Sequence, residues 1–199
     1  MKRKILAAIL ALLIVSAVVV FRTQYWNSKS KLAVVLNKGQ EVVVSLYDPA
    51  EQSQKDIIIP ANTQVQAAGE LGTWQLGSLW QLGADENLGG SLIVRTIAKN
   101  FGFPVFLWWD RLSLGDRLRI KLFGLWGKTG KETIDLRETN LLRKTVFLDG
   151  ERGYSVSGNT FEEISSLFSD QNAGGKILRA KNVDATGSLD LANKVGRII

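Results

Sequence analysis

The chain has 199 residues, 45% of them hydrophobic, and contains neither Cys nor His. That excludes disulfides, thiolate or imidazole metal sites, a Cys nucleophile and a Ser-His-Asp triad, and leaves carboxylates, Lys, Arg, hydroxyls or an oxygen-bound hard cation for any chemistry. The 25 Lys and Arg against 19 Asp and Glu give a net charge of +6, but three of the cations, Lys2, Arg3 and Lys4, stand together at the start. The rest is near balance and offers no basic footprint for nucleic acid.

Ile5 to Phe21 comes directly after them, uncharged, without Gly or Pro, with Ser16 as its one polar residue. Such a run crosses a bilayer as a helix, because a helix satisfies its own backbone in lipid. The preceding cations predict a cytoplasmic start at residues 1–4 and an extracytoplasmic remainder, that is, a single-pass protein of the cell membrane held to lipid by this anchor. A cleaved signal peptide is the alternative, but Val18-Val19-Val20-Phe21-Arg22 is a poor cleavage site. Residues 22–31 read as a linker, with Tyr25 and Trp26 at the depth of the interfacial aromatic belt.

Leu32–Leu36 and Glu41–Tyr47 are β-rich runs around the turn Asn37-Lys38-Gly39-Gln40, which predicts a hairpin. Ile57-Ile58-Ile59 predicts a central strand buried on both faces and stopped by Pro60. Leu71–Trp80 reads as a loosely helical surface stretch. Apolar positions 93, 94, 97, 98 and 101 predict a helix from Ser91 as N-cap to Gly102 as stop. Phe103–Trp109 reads as a strand, and the stretch from Gly115 to Gly127 as an amphipathic helix capped near Asp116. Glu132–Leu136 is a short strand, and Thr145–Leu148 with Tyr154–Val156 form a small hairpin around Asp149-Gly150. Thr160 and Glu163 have capping-box spacing for a helix running to Phe168. Lys176–Val183 reads as a strand and Ser188–Ile199 as a helix.

Gly89-Gly90 before a helix can offer backbone N–H groups to an anion or simply make the turn. Arg95 and Lys99, four apart on that helix, can reach a phosphate or form a solvated face. Asp48 and Asp56 can hold a hard cation or serve their turns. Arg111, Asp116, Arg117, Arg119 and Lys121, among Trp108, Trp109, Phe123 and Trp126, form the densest charged cluster. It reads either as a surface for anionic lipid or as a helix with Trp inward and Arg outward.

Ile57-Ile58-Ile59-Pro60-Ala61-Asn62-Thr63-Gln64-Val65 resembles the Ser-Ile-Pro-Arg-Asp-Thr-x-Val signature of the LytR-CpsA-Psr family. Gly89-Gly90 with its helix, then Phe101-Gly102-Phe103-Pro104-Val105, resembles the family's next part. Val183-Asp184-Ala185-Thr186-Gly187-Ser188-Leu189-Asp190-Leu191-Ala192-Asn193-Lys194-Val195 resembles the start of a LytR C-terminal domain. The resemblance implies an α/β fold: an α/β/α sandwich-like domain with a mixed sheet over 32–170, and a partial C-terminal domain over 171–199. It also implies transfer of an anionic glycopolymer from a polyprenyl-pyrophosphate carrier to the cell wall, with Arg side chains and an Asp–Mg²⁺ site on the pyrophosphate.

Ala61-Asn62 stands where that signature has Arg-Asp, and the hairpin Leu32–Tyr47 replaces the family's upstream Arg-x-Asp-Thr segment. Gly115-Asp116-Arg117-Leu118-Arg119-Ile120 echoes the late Asp-x-x-Arg-Ile segment, which makes Asp116 and Arg119 the candidate catalytic pair, while Leu122 and Phe123 replace the Arg-Gln beyond it. Arg95 and Lys99 are the candidate ligand-binding pair, and no metal ligand set stands out. The sequence therefore favours a cell-envelope binding or scaffolding module, without a cofactor, for a polyprenyl-phosphate lipid or wall polymer. The alternatives are a divergent Mg²⁺-dependent phosphotransferase and an unrelated membrane-anchored structural protein.

Overall fold

The tight turn at Asn37–Gln40 sets the centre of the sheet. The Asn37 side-chain oxygen accepts from the Gly39 N–H at 2.9 Å, and Gly39 takes φ +73°, which an L side chain would resist. The computed structural model describes residues 25–126, 130–147, 150–157 and 168. In chain order the elements are β1 (Leu32–Asn37), β2 (Glu41–Asp48), β3 (Ser53–Pro60), β4 (Thr63–Gln66), β5 (Thr73–Gln75), α1 (Leu79–Asp85), α2 (Ser91–Phe101), β6 (Leu107–Trp108), α3 (Leu114–Trp126), β7 (Lys131–Asp135), β8 (Leu142–Val146) and β9 (Arg152–Val156).

The main sheet has the order β6-β1-β2-β3-β7; β1, β2 and β3 are antiparallel, while β6 runs parallel to β1 and β7 parallel to β3. Alternation sorts its side chains. Val35, Val42, Val44, Ile57 and Ile59 form one core with Leu92, Ile93, Ile97 and Phe101 of α2. Leu32, Val34 and Tyr47 form the other, with Ile120 of α3, Leu112 and Trp26. The sheet thus lies between helices, the predicted α/β/α layering. A second mixed sheet, β5-β4-β9-β8, extends it. β3 is an inner strand, between β2 and β7, rather than the central one, and only Ile57 and Ile59 of its isoleucines are sealed; Ile58 on the opposite face is half-covered.

Several local expectations change. Leu71–Trp80 is not one helical stretch: Gly72 turns the chain at φ +84°, the Trp74 indole donates to the Leu71 carbonyl at 2.7 Å, and Thr73–Gln75 pairs with β4 before α1 begins. Phe103–Trp109 is strand only at Leu107–Trp108, because Val105 N–H folds back onto the Phe103 carbonyl around Pro104. The Trp26 side chain is 2% exposed, buried in the domain, and packs edge-on against Phe123. Among the described residues no helix is long and apolar enough to cross a membrane. The run Ile5–Phe21, the body of the helix ending at Phe168 and the segment 171–199 lie outside the described residues.

Candidate functional site

α3 begins with a reciprocal cap. The Ser113 hydroxyl accepts from the Asp116 N–H at 3.1 Å, and Asp116 Oδ2 accepts from the Ser113 N–H at 3.3 Å and its hydroxyl at 2.7 Å. The same carboxylate, with no exposed surface, reaches across the chain to accept the Tyr25 and Trp26 N–H groups, each at 3.1 Å. Burial raises its pKa, but the bonds from Ser113, Tyr25 and Trp26 outweigh that and hold it below the usual carboxylate range. Arg119 completes the clip by donating to the Trp26 carbonyl at 2.8 Å. Asp116 and Arg119 are therefore brought together, around the backbone of the N-terminal segment.

Arg95 and Lys99 lie on the opposite side of the sheet, both exposed on α2, and the Lys99 ammonium donates to the Ala67 carbonyl at 3.3 Å. Gly89 and Gly90 make the turn into α2; a Cβ on Gly90 would meet the Trp108 ring at 2.5 Å. Asp48 pairs with Lys31 at 3.1 Å and caps Ala50 and Glu51. Asp56 accepts from Ser45 at 2.6 Å and Gln54 at 3.0 Å and pairs with Lys131 at 3.3 Å. No group of three carboxylates poised for a metal exists among the described residues.

The segment after β3 opens onto a cleft of about 570 Å³ lined by Gln40, Glu41, Ala61, Asn62, Arg137 and Tyr154, among others. Ala61 N–H donates to the Gln40 carbonyl at 2.9 Å, and its own carbonyl accepts from Gly77 at 2.8 Å. The Asn62 amide donates to the Arg152 carbonyl at 3.0 Å, and its backbone carbonyl accepts from the Tyr154 N–H at 3.3 Å, so β9 fixes it. Arg137 is the cleft's cation. Its guanidinium donates to Asp135 at 2.8 Å and 2.9 Å and to Glu41 at 2.8 Å. Asp135 first, then Glu41, raises the Arg137 pKa, and Arg137 lowers that of Asp135. The sequence did not single out Arg137. Its signal was the parallel pairing of β7 with β3, Ile58 opposite Asp135, which delivers the end of β7 beside the end of β3.

Among solved structures, the chain is similar to B. subtilis TagT (TM-score 0.56, 12% identity, covering 73% of this chain and 92% of that one). It is equally similar to the LytR-CPS2A-psr family protein YwtF (TagT) with bound octaprenyl pyrophosphate lipid (TM-score 0.56, 12% identity, 73% and 91%). TagT bound to LIIa-WTA matches at TM-score 0.55 and 12% identity, over 73% and 92%. The chain has the LytR-CPS2A-Psr fold. The central sheet between helix layers, whose absence would have favoured an unrelated structural protein, is part of that fold. No protein-family model and no curated protein matches the chain.

A Mg²⁺–pyrophosphate centre does not fit the described cleft. Its carboxylate, Glu41, is ion-paired with Arg137, Asp135 behind it is held the same way, and Asn62 turns its amide N–H to a carbonyl. Hard cations need several free oxygen ligands, and a pyrophosphate needs unshared cations.

Proposed function

We propose that the protein is a membrane-anchored, extracytoplasmic module of the cell envelope that holds a lipid-linked glycopolymer in the Pro60–Asn62 cleft without transferring it. Residues 5–21 are its anchor, 22–31 the connection, 32–170 the LytR-CpsA-Psr-like domain and 171–199 a partial LytR C-terminal-like domain. One observation carries this reading: Ala61-Asn62 lines the cleft where the family signature has Arg-Asp, and the cation there, Arg137, is shared between two carboxylates. Gln40, Gln75, Ser78 and Tyr154 offer hydrogen-bonding groups suited to sugar hydroxyls. The likeness to TagT in complex with octaprenyl pyrophosphate lipid and with LIIa-WTA supports the ligand class.

That likeness also favours a second reading, a divergent phosphotransferase attaching glycopolymers to the wall. It would need Asp116 and Arg119, now engaged with Tyr25 and Trp26, or Arg137, to be released for substrate. Calorimetric titration of the full chain in detergent with a short-chain polyprenyl-pyrophosphate disaccharide separates the two. Saturable binding that is the same in Mg²⁺ and in EDTA is the expected result. Binding that requires Mg²⁺ supports the transferase, and no binding by a folded chain overturns both.

A further inference from the structure

We infer that the outward face of α3 rests on the surface of the membrane that holds the anchor, seating its leucines among lipid headgroups. Leu114, Leu118 and Leu125 are 73%, 57% and 76% exposed. At 100° per residue they share one narrow stripe with the exposed Lys121. The inward side carries Ile120, Phe123 and the buried carboxylate of Asp116. α3 is thus inverted relative to an ordinary surface helix: it shows leucines outward and buries its one acidic side chain.

The position of the chain's apolar run identifies the occupant. Asp116 fixes Tyr25 and Trp26 to the first turn of α3. Phe21, the last residue of the apolar run, is four residues before Tyr25. Four residues span at most about 14 Å, so α3 starts within that reach of the point where the chain leaves the bilayer. A helix of 13 residues, about 20 Å long, that starts there and turns its leucine stripe to the surface has lipid beside it along its length. The flanking charges match an anionic surface. Lys121 stands in the stripe, and Arg111 packs over Tyr25 and Trp108 at 5.8 Å and 5.2 Å, beside the exposed Tyr25 ring. Asp110, in the preceding turn, is the exposed acid of residues 109–126, since Asp116 is buried. Leucines on one side and cations at the edges are the pattern of an interfacial helix.

The inference rests on the anchor assigned above and not on the ligand of the cleft. The absence of native Cys allows single-site labelling. Leu118→Cys and Leu125→Cys variants of the full chain carry an environment-sensitive dye in vesicles of phosphatidylcholine and phosphatidylglycerol. Gln81→Cys, on α1 across the sheet, and Leu10→Cys, in the apolar run, are the controls. With α3 set about 5–10 Å into the headgroup boundary, nitroxide-labelled lipid removes roughly half the emission at 118 and 125 and none at 81. Quenching at 10 with none at 118 or 125, and open access of iodide to both, overturns the inference and leaves the anchor standing. Shielding of 118 and 125 from both lipid and iodide overturns it in favour of a second copy of the chain. No quenching at 10 overturns anchor and inference together, while the titration of the cleft is unaffected.

Discussion

Replacing Asp116 by Ala removes the acceptor for two backbone N–H groups and half of the reciprocal cap on α3. The Trp26 N–H is buried and finds no other acceptor among the described residues, a cost of about 1–3 kcal/mol. Loss of the cap adds about 0.5–2 kcal/mol. The Tyr25 N–H, on a residue 55% exposed, turns to water and adds little. The total is about 1.5–5 kcal/mol, which at this chain length lowers Tm by roughly 3–20 °C. The folded carboxylate titrates below its ordinary range. Its contribution is therefore full above the unfolded carboxylate pKa and is lost as pH falls towards the folded value, so wild type and Asp116→Ala converge in acid. Thermal unfolding of the full chain in detergent, followed by circular dichroism at neutral and acid pH, reads the magnitude. Hydrogen exchange at the Trp26 amide reads the site. A Tm loss below about 1 °C with Trp26 still protected would refute the clip.

Tyr47 is pushed up to about 12, chiefly by burial, so one of the three tyrosines ionises late in an absorbance titration; its stabilisation is full below the ordinary phenol pKa and is lost as pH rises through about 12. A Tyr47→Phe variant that leaves the late step in place contradicts this. A Cβ on Gly83 would lie 2.3 Å from the Gly89 carbonyl oxygen, whereas one on Gly124, in the last turn of α3, meets nothing within 4 Å. Gly83→Ala therefore costs about 1–3 kcal/mol, while Gly124→Ala gains about 0.5–1 kcal/mol, and denaturant midpoints order the two. The double variant Ala61→Arg with Asn62→Asp gives the cleft an unshared cation and a free carboxylate. It loses the Asn62 bond to Arg152 and acquires Mg²⁺-sensitive binding of the pyrophosphate lipid, measured by the same titration.

The parts legible in the sequence are those fixed locally. The Asn37–Gln40 turn lies between two valine-rich runs, and α2 stops at Gly102, which takes φ +74° and donates to Ala98. The isoleucine run marks β3. Contacts between distant segments were not legible. β4 pairs in parallel with β9 some 90 residues later, and no short-range period announces that. The sequence places Asp116 at a helix start, three residues before Arg119, and its Ser113 cap is local, but its other partners are backbone groups 90 and 91 residues earlier, and backbone partners leave no trace in side-chain identity. Arg137 enters the cleft only because β7 lies beside β3. The outward leucines of α3 defeat a reading that assigns apolar residues to the core, since Leu114, Leu118 and Leu125 are all more than half exposed.

Transfer itself is the most direct test. The full chain, reconstituted in vesicles with a radiolabelled polyprenyl-pyrophosphate-linked glycopolymer, peptidoglycan fragments and Mg²⁺, is assayed for label on lipid, on protein and on peptidoglycan. A binding module with Ala61-Asn62 in its cleft retains the label on the lipid, bound to protein, and none reaches peptidoglycan. Label that moves to peptidoglycan in a Mg²⁺-dependent manner would contradict the account and establish the transferase.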